Sequence, residues 1–250
     1  MSGRWFARIV SLGLALTLAA ALVQFGPGWL DGRIGAYVGA HPELVANALD
    51  QLRLQDQAAA TKRKSDLLTQ NAGALLQDPH SAVAGNPQGD VTLVEFFDYK
   101  CPYCRQFHPQ VPALLAADPG LRLVLKEFPV LGPESTVAAR AAVAAQLHYP
   151  ARYLAFHNAL MTTPGRLDVK TVLQVAADAG INAEFLSIDM MDPEVDRVLA
   201  ANHALADMLG IEGTPGFIIG TAVIPGYIDS AEVLRLAAAV RKPSAEPVTQ

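Results

Sequence analysis

Cysteine is scarce in this sequence: of 250 residues only Cys101 and Cys104 are cysteines. With no third cysteine there is no separate structural disulfide, so both thiols are available for chemistry or for a metal. Charge is scarce as well. Charged residues make up 17% of the chain and the net charge is −5. That balance excludes a basic surface suited to nucleic acid or to an anionic membrane. Aromatics reach only 7%, against 51% hydrophobic residues overall. Such a composition belongs to a helix-rich globular protein and not to a disordered one. Internal repeats are missing.

Long apolar runs are missing too, except at the N-terminus. There Arg4 and Arg8 precede residues 9–23, an apolar stretch of about 15 residues, which is h-region length. It falls short of the roughly 20 residues that span a bilayer. Phe25, Trp29 and Leu30 can lengthen it, and Ala19, Ala20 and Ala21 lead into Leu22 and Val23 without a clear cleavage site. Residues 1–30 therefore read as a signal peptide or as an uncleaved inner-membrane anchor. A buried core helix is the bland alternative. Either export reading sends the rest of the chain to a compartment where disulfides persist.

Residues 31–78 are helical in character. Pro42 suits a first helical turn and Glu43 complements it. Leu44, Val45, Ala48, Leu49 and Leu52 then form one stripe. After a polar stretch containing Lys62, Arg63 and Lys64, the stripe resumes at Leu67, Leu68, Ala72, Leu75 and Leu76. So little apolar surface cannot fold alone. It packs on copies of itself, or else packs on the main domain or stays disordered.

Pro79, Gly85, Pro87 and Gly89 mark a linker and turn. Residues 91–97 are almost continuously apolar and read as a strand buried on both faces. The cysteine pair follows at once, leading into a helix through Leu114 and Leu115. Residues 121–128 are a second strand candidate. An alanine-rich helical stretch runs from 135 to 209, broken at Pro150, Pro164, Gly165, Gly180 and Pro193. Two short strands, 216–219 and 221–224, meet at Gly220. Ser230 is expected to cap a last helix through Val240, with Glu232 in its first turn. The polar tail from Lys242 is expected to fray. The order describes an α/β core interrupted by a helical subdomain.

A cysteine at the first turn of a helix lies near unpaired backbone N–H groups, and these favour its thiolate. Cys101 is placed to be that nucleophile. Cys104, one turn on, is placed to resolve a mixed disulfide from beneath. Pro102 sits where a helix start tolerates its missing N–H. Half a zinc site has the same spacing, with His108 the obvious third ligand, but zinc needs further ligands and His108 reads more readily as a helix-surface or substrate-face residue. Far downstream, Gly213, Thr214, Pro215 and Gly216 precede a strand. A trans proline opening an edge strand and a cis Thr214–Pro215 bond are both open there.

Phe96, Phe97, Asp98, Tyr99, Lys100, Cys101, Pro102, Tyr103 and Cys104 form one block, followed by Lys126, Glu127, Phe128, Pro129 and by Gly213, Thr214, Pro215. Together they resemble the DsbA-like family of bacterial periplasmic thioredoxin-fold proteins over residues 82–240. Within it, His41 to Leu49 resembles the N-terminal helical segment of the ScsC-type branch. The resemblance implies a thioredoxin fold at 79–241, a helical insertion over about 133–209, an N-terminal helical oligomerisation segment over 31–78 and a flexible tail over 242–250.

It also implies a cis Thr214–Pro215 bond facing Cys101, with Thr214, Pro215, Pro102 and Tyr103 positioning a substrate peptide. No cofactor is implied beyond the Cys101–Cys104 disulfide, and no metal. The implied partners are exported proteins with cysteines, a membrane redox partner and copies of this chain, a trimer in ScsC-type relatives, with no nucleic acid. The activity implied is periplasmic thiol–disulfide exchange, as isomerase or reductase. Oxidase action and copper binding are the alternatives.

Glu95 lies in a buried strand, where an unpaired carboxylate is costly. In the family an acid at the matching position lies under the active site, and Lys126 on the next strand is expected to be its partner. Tyr99 and Tyr103 read equally as a platform for substrate or as rim aromatics. Phe107, Phe156 and His157 are read as packing residues.

Overall fold

The computed structural model describes Thr17 and residues 27–242. The signal or anchor expected over residues 1–30 and the tail over 242–250 lie outside these, save Thr17, residues 27–30 and Lys242. Among the described residues no helix is long and apolar enough to cross a membrane. The chain divides into two compact units, Met1–Lys62 and Arg63–Gln250.

In the first unit α1 (Pro27–Ala40) ends before His41, and α2 (Pro42–Gln70) begins at Pro42 with Glu43 in its first turn. Proline needs no N–H partner at that position, which makes it a favourable start. The stripe read from the sequence is present and uncovered. Leu44, Val45, Leu49 and Leu52 are all exposed.

The second unit contains the end of α2, then α3 (Ala72–Leu76), β1 (Ala82–Gly85) and β2 (Val91–Phe97). Next come α4 (Pro102–Phe107), a 3-10 turn (His108–Gln110), α5 (Val111–Ala117) and β3 (Leu121–Glu127). Five helices follow: α6 (Pro133–His148), α7 (Pro150–Thr162), α8 (Val169–Asp178), α9 (Ala183–Asp189) and α10 (Pro193–Leu209). The hairpin β4 (Gly216–Ile219) and β5 (Ala222–Pro225) leads to α11 (Ser230–Arg241).

The sheet order is β1-β3-β2-β4-β5. Strands β2 and β3 run parallel, and the other pairs are antiparallel. This is a thioredoxin-like sheet with a helical insertion between β3 and β4. The two central strands are apolar on both faces because helices cover both faces. Alternation along the strands sorts the side chains. Leu93, Phe97, Leu123 and Leu125 join the large core shared with α6 and α7. Val94, Phe96, Val124 and Ile218 face the other way, against Leu68, Leu75, Leu205 and Leu209. The leucines at the end of the N-terminal helical segment are therefore part of this domain's core.

Pro150 and Pro193 start helices instead of merely breaking them. Asp168, Asn182 and Asp192 cap α8, α9 and α10 through side-chain oxygens. Two local expectations are corrected. Residues 82–85, within the stretch read as linker, form the edge strand β1. The cap of α11 is Asp229, whose carboxylate accepts from the Glu232 N–H at 2.8 Å, and Ser230 is the first helical residue. Either side chain can cap, but only the residue with extended backbone does so here.

Candidate active site

Strand β2 ends at Phe97 and delivers three loop residues to Cys101, the N-cap of α4. Its extended backbone (φ −72°, ψ 119°) turns the sulfur back over the helix start, where Cys101 Sγ accepts from the Cys104 N–H at 3.4 Å. Pro102 and Tyr103 are exposed at the rim, whereas Cys104 is fully enclosed. Across the site the Thr214–Pro215 bond is cis. The Thr214 carbonyl lies 3.1 Å from Cys101 Sγ and accepts from the thiol when it is protonated. Gly216 lets the chain pass close beneath Ile211, since a Cβ there would meet Ile211 Cγ2 at 2.5 Å.

These surroundings separate the two thiols. Cys101 is lowered to about 6, chiefly because the Cys104 thiol donates to its sulfur, with backbone N–H groups of Tyr103 and Cys104 adding to the effect. The buried Thr214 hydroxyl has no hydrogen-bond partner in good geometry, yet it is near enough to favour the thiolate. Cys104 is pushed far above the thiol range by that same interaction, by burial and by the charge of Glu95. One thiol is thus ionised at neutral pH and the other is a protonated reserve.

Two residues to which the sequence assigned no role, Asp98 within the motif block and Arg105 just after it, hold this loop in place. Buried Asp98 accepts from the Lys100 N–H at 2.7 Å, and its other oxygen accepts from Val130 and Leu131 N–H at 2.8 and 3.0 Å. It ties the loop before Cys101 to the loop after β3. Arg105, directly after Cys104, donates to the Tyr99 carbonyl at 2.6 Å and to the Thr163 and Leu160 carbonyls at 2.7 and 3.4 Å. It binds α4 to the C-terminal end of α7. The signal available in the sequence was only a charged residue beside a buried motif.

The expected Glu95–Lys126 pair does not form. The register sets Glu95 opposite Leu125 and Phe96 opposite Lys126. Alternation then sends the two side chains to opposite faces of the sheet. Lys126 donates to the Ala74 carbonyl and to Asp78, each at 2.7 Å. Glu95 is buried beneath the cysteines, and burial followed by the Cys101 charge raises it to about 8.

Glu127 occupies the same face as Glu95. Its carboxylate accepts from the Tyr99 and Tyr153 hydroxyls, each at 2.8 Å. Burial still raises it to about 8. Tyr99, read as a substrate platform or a rim aromatic, is only 1% exposed, because this buried acceptor satisfies its hydroxyl. His157 is buried as expected, but it also takes part in a polar contact, with Nδ1 3.1 Å from the Tyr99 hydroxyl. Tyr103 stays at the surface, 6.4 Å from the Tyr227 ring. Among the described residues no three His, Cys, Asp or Glu side chains gather at metal-binding distance.

The model of the DSBA-like thioredoxin domain matches residues 92–237. A thioredoxin-like oxidoreductase from Silicibacter pomeroyi is 44% identical, with a TM-score of 0.66, covering 69% of this chain and 98% of that one. The catalytic domain of Proteus mirabilis ScsC is 27% identical at TM-score 0.65, covering 70% and 97%. BcfH of Salmonella enterica Typhimurium is also 27% identical at TM-score 0.65, covering 90% and 100%. A curated relative, the Na(+)/H(+) antiporter NhaA 3 of Salinispora tropica, is 25% identical over 217 residues. This chain spans only 33% of that antiporter's length. Sheet order, insertion and matched residues agree, and the chain belongs to the family of DsbA-like thioredoxin domains.

Proposed function

We propose that this chain is an exported thiol–disulfide oxidoreductase acting on cysteines of other exported proteins, chiefly as an isomerase or reductase. One observation carries the reading: a thiol lowered to about 6 faces the carbonyl before a cis proline, with its protonated partner sealed one turn below. The Cys101 thiolate attacks a substrate disulfide and forms a mixed disulfide. Cys104 then resolves it, or the substrate's own thiol does, which is isomerisation. Thr214, Pro215, Pro102 and Tyr103 flank the sulfur and form the surface on which a substrate peptide lies.

The uncovered stripe of Leu44, Val45, Leu49 and Leu52 supports self-association through the N-terminal segment, as a trimer in the ScsC manner. An isomerase must be kept reduced, so a membrane-borne dithiol donor is the expected partner. The basic and apolar N-terminal sequence supports export to the periplasm, with retention at the inner membrane if that segment stays attached.

The test is refolding of a scrambled-disulfide protein by catalytic amounts of the reduced enzyme, comparing the full chain with residues 63–250. Strong activity that falls on truncation supports an oligomeric isomerase. Weak activity in both, with rapid oxidation of a reduced substrate, replaces that reading with an oxidase.

A further inference from the structure

We infer that the apolar groove between α5 and α7 is a second substrate subsite, which takes an uncharged, extended stretch of the same polypeptide whose cysteine is captured at Cys101. The inference deepens the dithiol-exchange reading and rests on it.

The groove encloses about 610 Å³, a volume within the range of ligand clefts. Val111 and Leu115 of α5 form one wall, and Leu154 and Ala159 of α7 form the other. Ala84 and Gly85 of β1 complete the lining. Leu154 is exposed, and Val111, Leu115 and Ala159 are only partly covered. Small side chains on β1 and α7 keep the two walls from closing on each other.

The chemistry of the lining selects its occupant. Among the described residues that line the groove none is charged. Its polar members are Asn158, Thr162 and His108, and burial lowers His108, so it is neutral at neutral pH. A charged segment entering here would lose hydration without gaining a partner. An apolar one would leave water at no such cost.

The groove also borders an open sheet edge. Strand β1 is the outermost strand beside β3, and the Asn86 N–H donates to the Leu121 carbonyl at 3.0 Å. Alternation in an antiparallel ladder then points the backbone groups of Ala82 and Ala84 at β3, and those of Val83 and Gly85 away from it. Among the described residues no hydrogen bond reaches these outward N–H and C=O groups. An extended chain carries the main-chain partners that such an edge lacks, whereas a helix has already spent its own.

Finally, the groove continues from the active site. His108 follows α4, seven residues after Cys101, so about 10 Å of helix leads from one to the other. Arg105 holds α4 to the Leu160 and Thr163 carbonyls, beside Ala159 and Thr162 of the groove wall. The other side of the same segment faces the cis-proline hairpin, where Gln110 Nε2 donates to the Tyr227 hydroxyl at 2.7 Å. The groove and the Thr214–Pro215 surface therefore flank the active-site helix on two different sides. An extended peptide advances about 3.3 Å per residue, so it enters the groove about three to four residues from the captured cysteine. The substrate class is a chain with an uncharged apolar stretch exposed at that distance. Folded proteins bury such stretches, so the groove favours unfolded or mispaired chains.

The test is the rate of mixed-disulfide formation at Cys101, measured in the full chain with Cys104→Ser so that the product accumulates. Peptide substrates carry one cysteine as a disulfide with a small thiol. They differ only in having leucine and valine, or serine, at the fourth to eighth positions from that cysteine, on either side. At subsaturating concentration the apolar peptide should react about tenfold faster on one of the two sides, the scale of burying one or two aliphatic side chains less the cost of ordering them. Leu154→Asp and Pro112→Asp, on opposite walls and both exposed, should each abolish that preference. Both should leave the serine peptide and iodoacetamide alkylation of Cys101 unchanged. Ile188→Asp, on an exposed face of α9, should keep the preference. Equal rates for the two peptides, or a preference that survives both groove variants, overturns the subsite. Groove variants that change the sedimenting species but not the preference make the groove an interface between copies, which also overturns it. If neither peptide forms a mixed disulfide, it is the dithiol-exchange reading that fails.

Discussion

Replacing Cys104 by alanine tests the electrostatics of the site most directly. The Cys104 thiol is the largest contributor to the lowered Cys101 value of about 6. A hydrogen bond to a charged group is worth about 1.5–3 kcal/mol, and one pKa unit is about 1.4 kcal/mol. Losing that donor should move Cys101 up by about one to two units. It should not return to the ordinary 9.0, because the backbone N–H groups of Tyr103 and Cys104 still point at the sulfur. The assay is the pH dependence of iodoacetamide alkylation of Cys101, with ultraviolet thiolate absorbance as a second readout.

In the wild type the rate should rise through a midpoint near 6 and then plateau. In Cys104→Ala the midpoint should lie about one to two units higher. Stability follows with a definite sign. A thiol lowered from 9.0 to about 6 stabilises the reduced fold fully above pH 9.0 and loses that contribution as pH falls through 6. At pH 7 about 1 kcal/mol is present, so the reduced protein should lose stability relative to the oxidised one on acidification to pH 5. A wild-type midpoint near 9.0, or an unchanged midpoint in Cys104→Ala, would refute the reasoning.

Lys126→Met should cost about 3 kcal/mol in urea unfolding, since it strands Asp78 beside a buried position. It should leave the Cys101 alkylation midpoint in place; a shifted midpoint would mean that Lys126 does reach the cysteine side. Asp98→Ala strands the Lys100, Val130 and Leu131 N–H groups and should lower stability by about 2–4 kcal/mol, with a smaller loss in Asp98→Asn. Thermal melts that rank the two variants the other way would contradict that assignment. A chain starting at Gln77 should be less stable than one starting at Arg63 by about 3–6 kcal/mol, because Leu68 and Leu75 are both buried. Equal denaturant midpoints would show that these leucines add nothing to the core.

Part of this was legible in the sequence because it is local. A continuous apolar run marked β2, and a cysteine, a proline and a second cysteine lay within the cap and first turn of one helix. What was hidden depended on register and on distant partners. Glu95 and Lys126 have the right types and strands for a pair. Only the pairing of Glu95 with Leu125 shows that they face opposite ways. Tyr99 reads as a substrate platform or a rim aromatic until Glu127 and Tyr153, from other elements, enclose its hydroxyl. Strand β1 escaped because Ala82, Val83, Ala84 and Gly85 are too short and too small to show a β pattern. Asp98 and Arg105 act through backbone groups, which carry no residue-type signal at all.

The Cys101 sulfur and the Thr214 carbonyl that it meets are 113 residues apart in the chain. On the export route proposed above, a polypeptide threaded through a translocon from its N-terminus delivers the cysteine pair first. Thr214 and Pro215, which complete the site around the Cys101 sulfur, emerge only after the whole helical insertion has passed. Until then, on that route, the cysteine pair stands open to any oxidant in the compartment the chain enters, as a substrate's would.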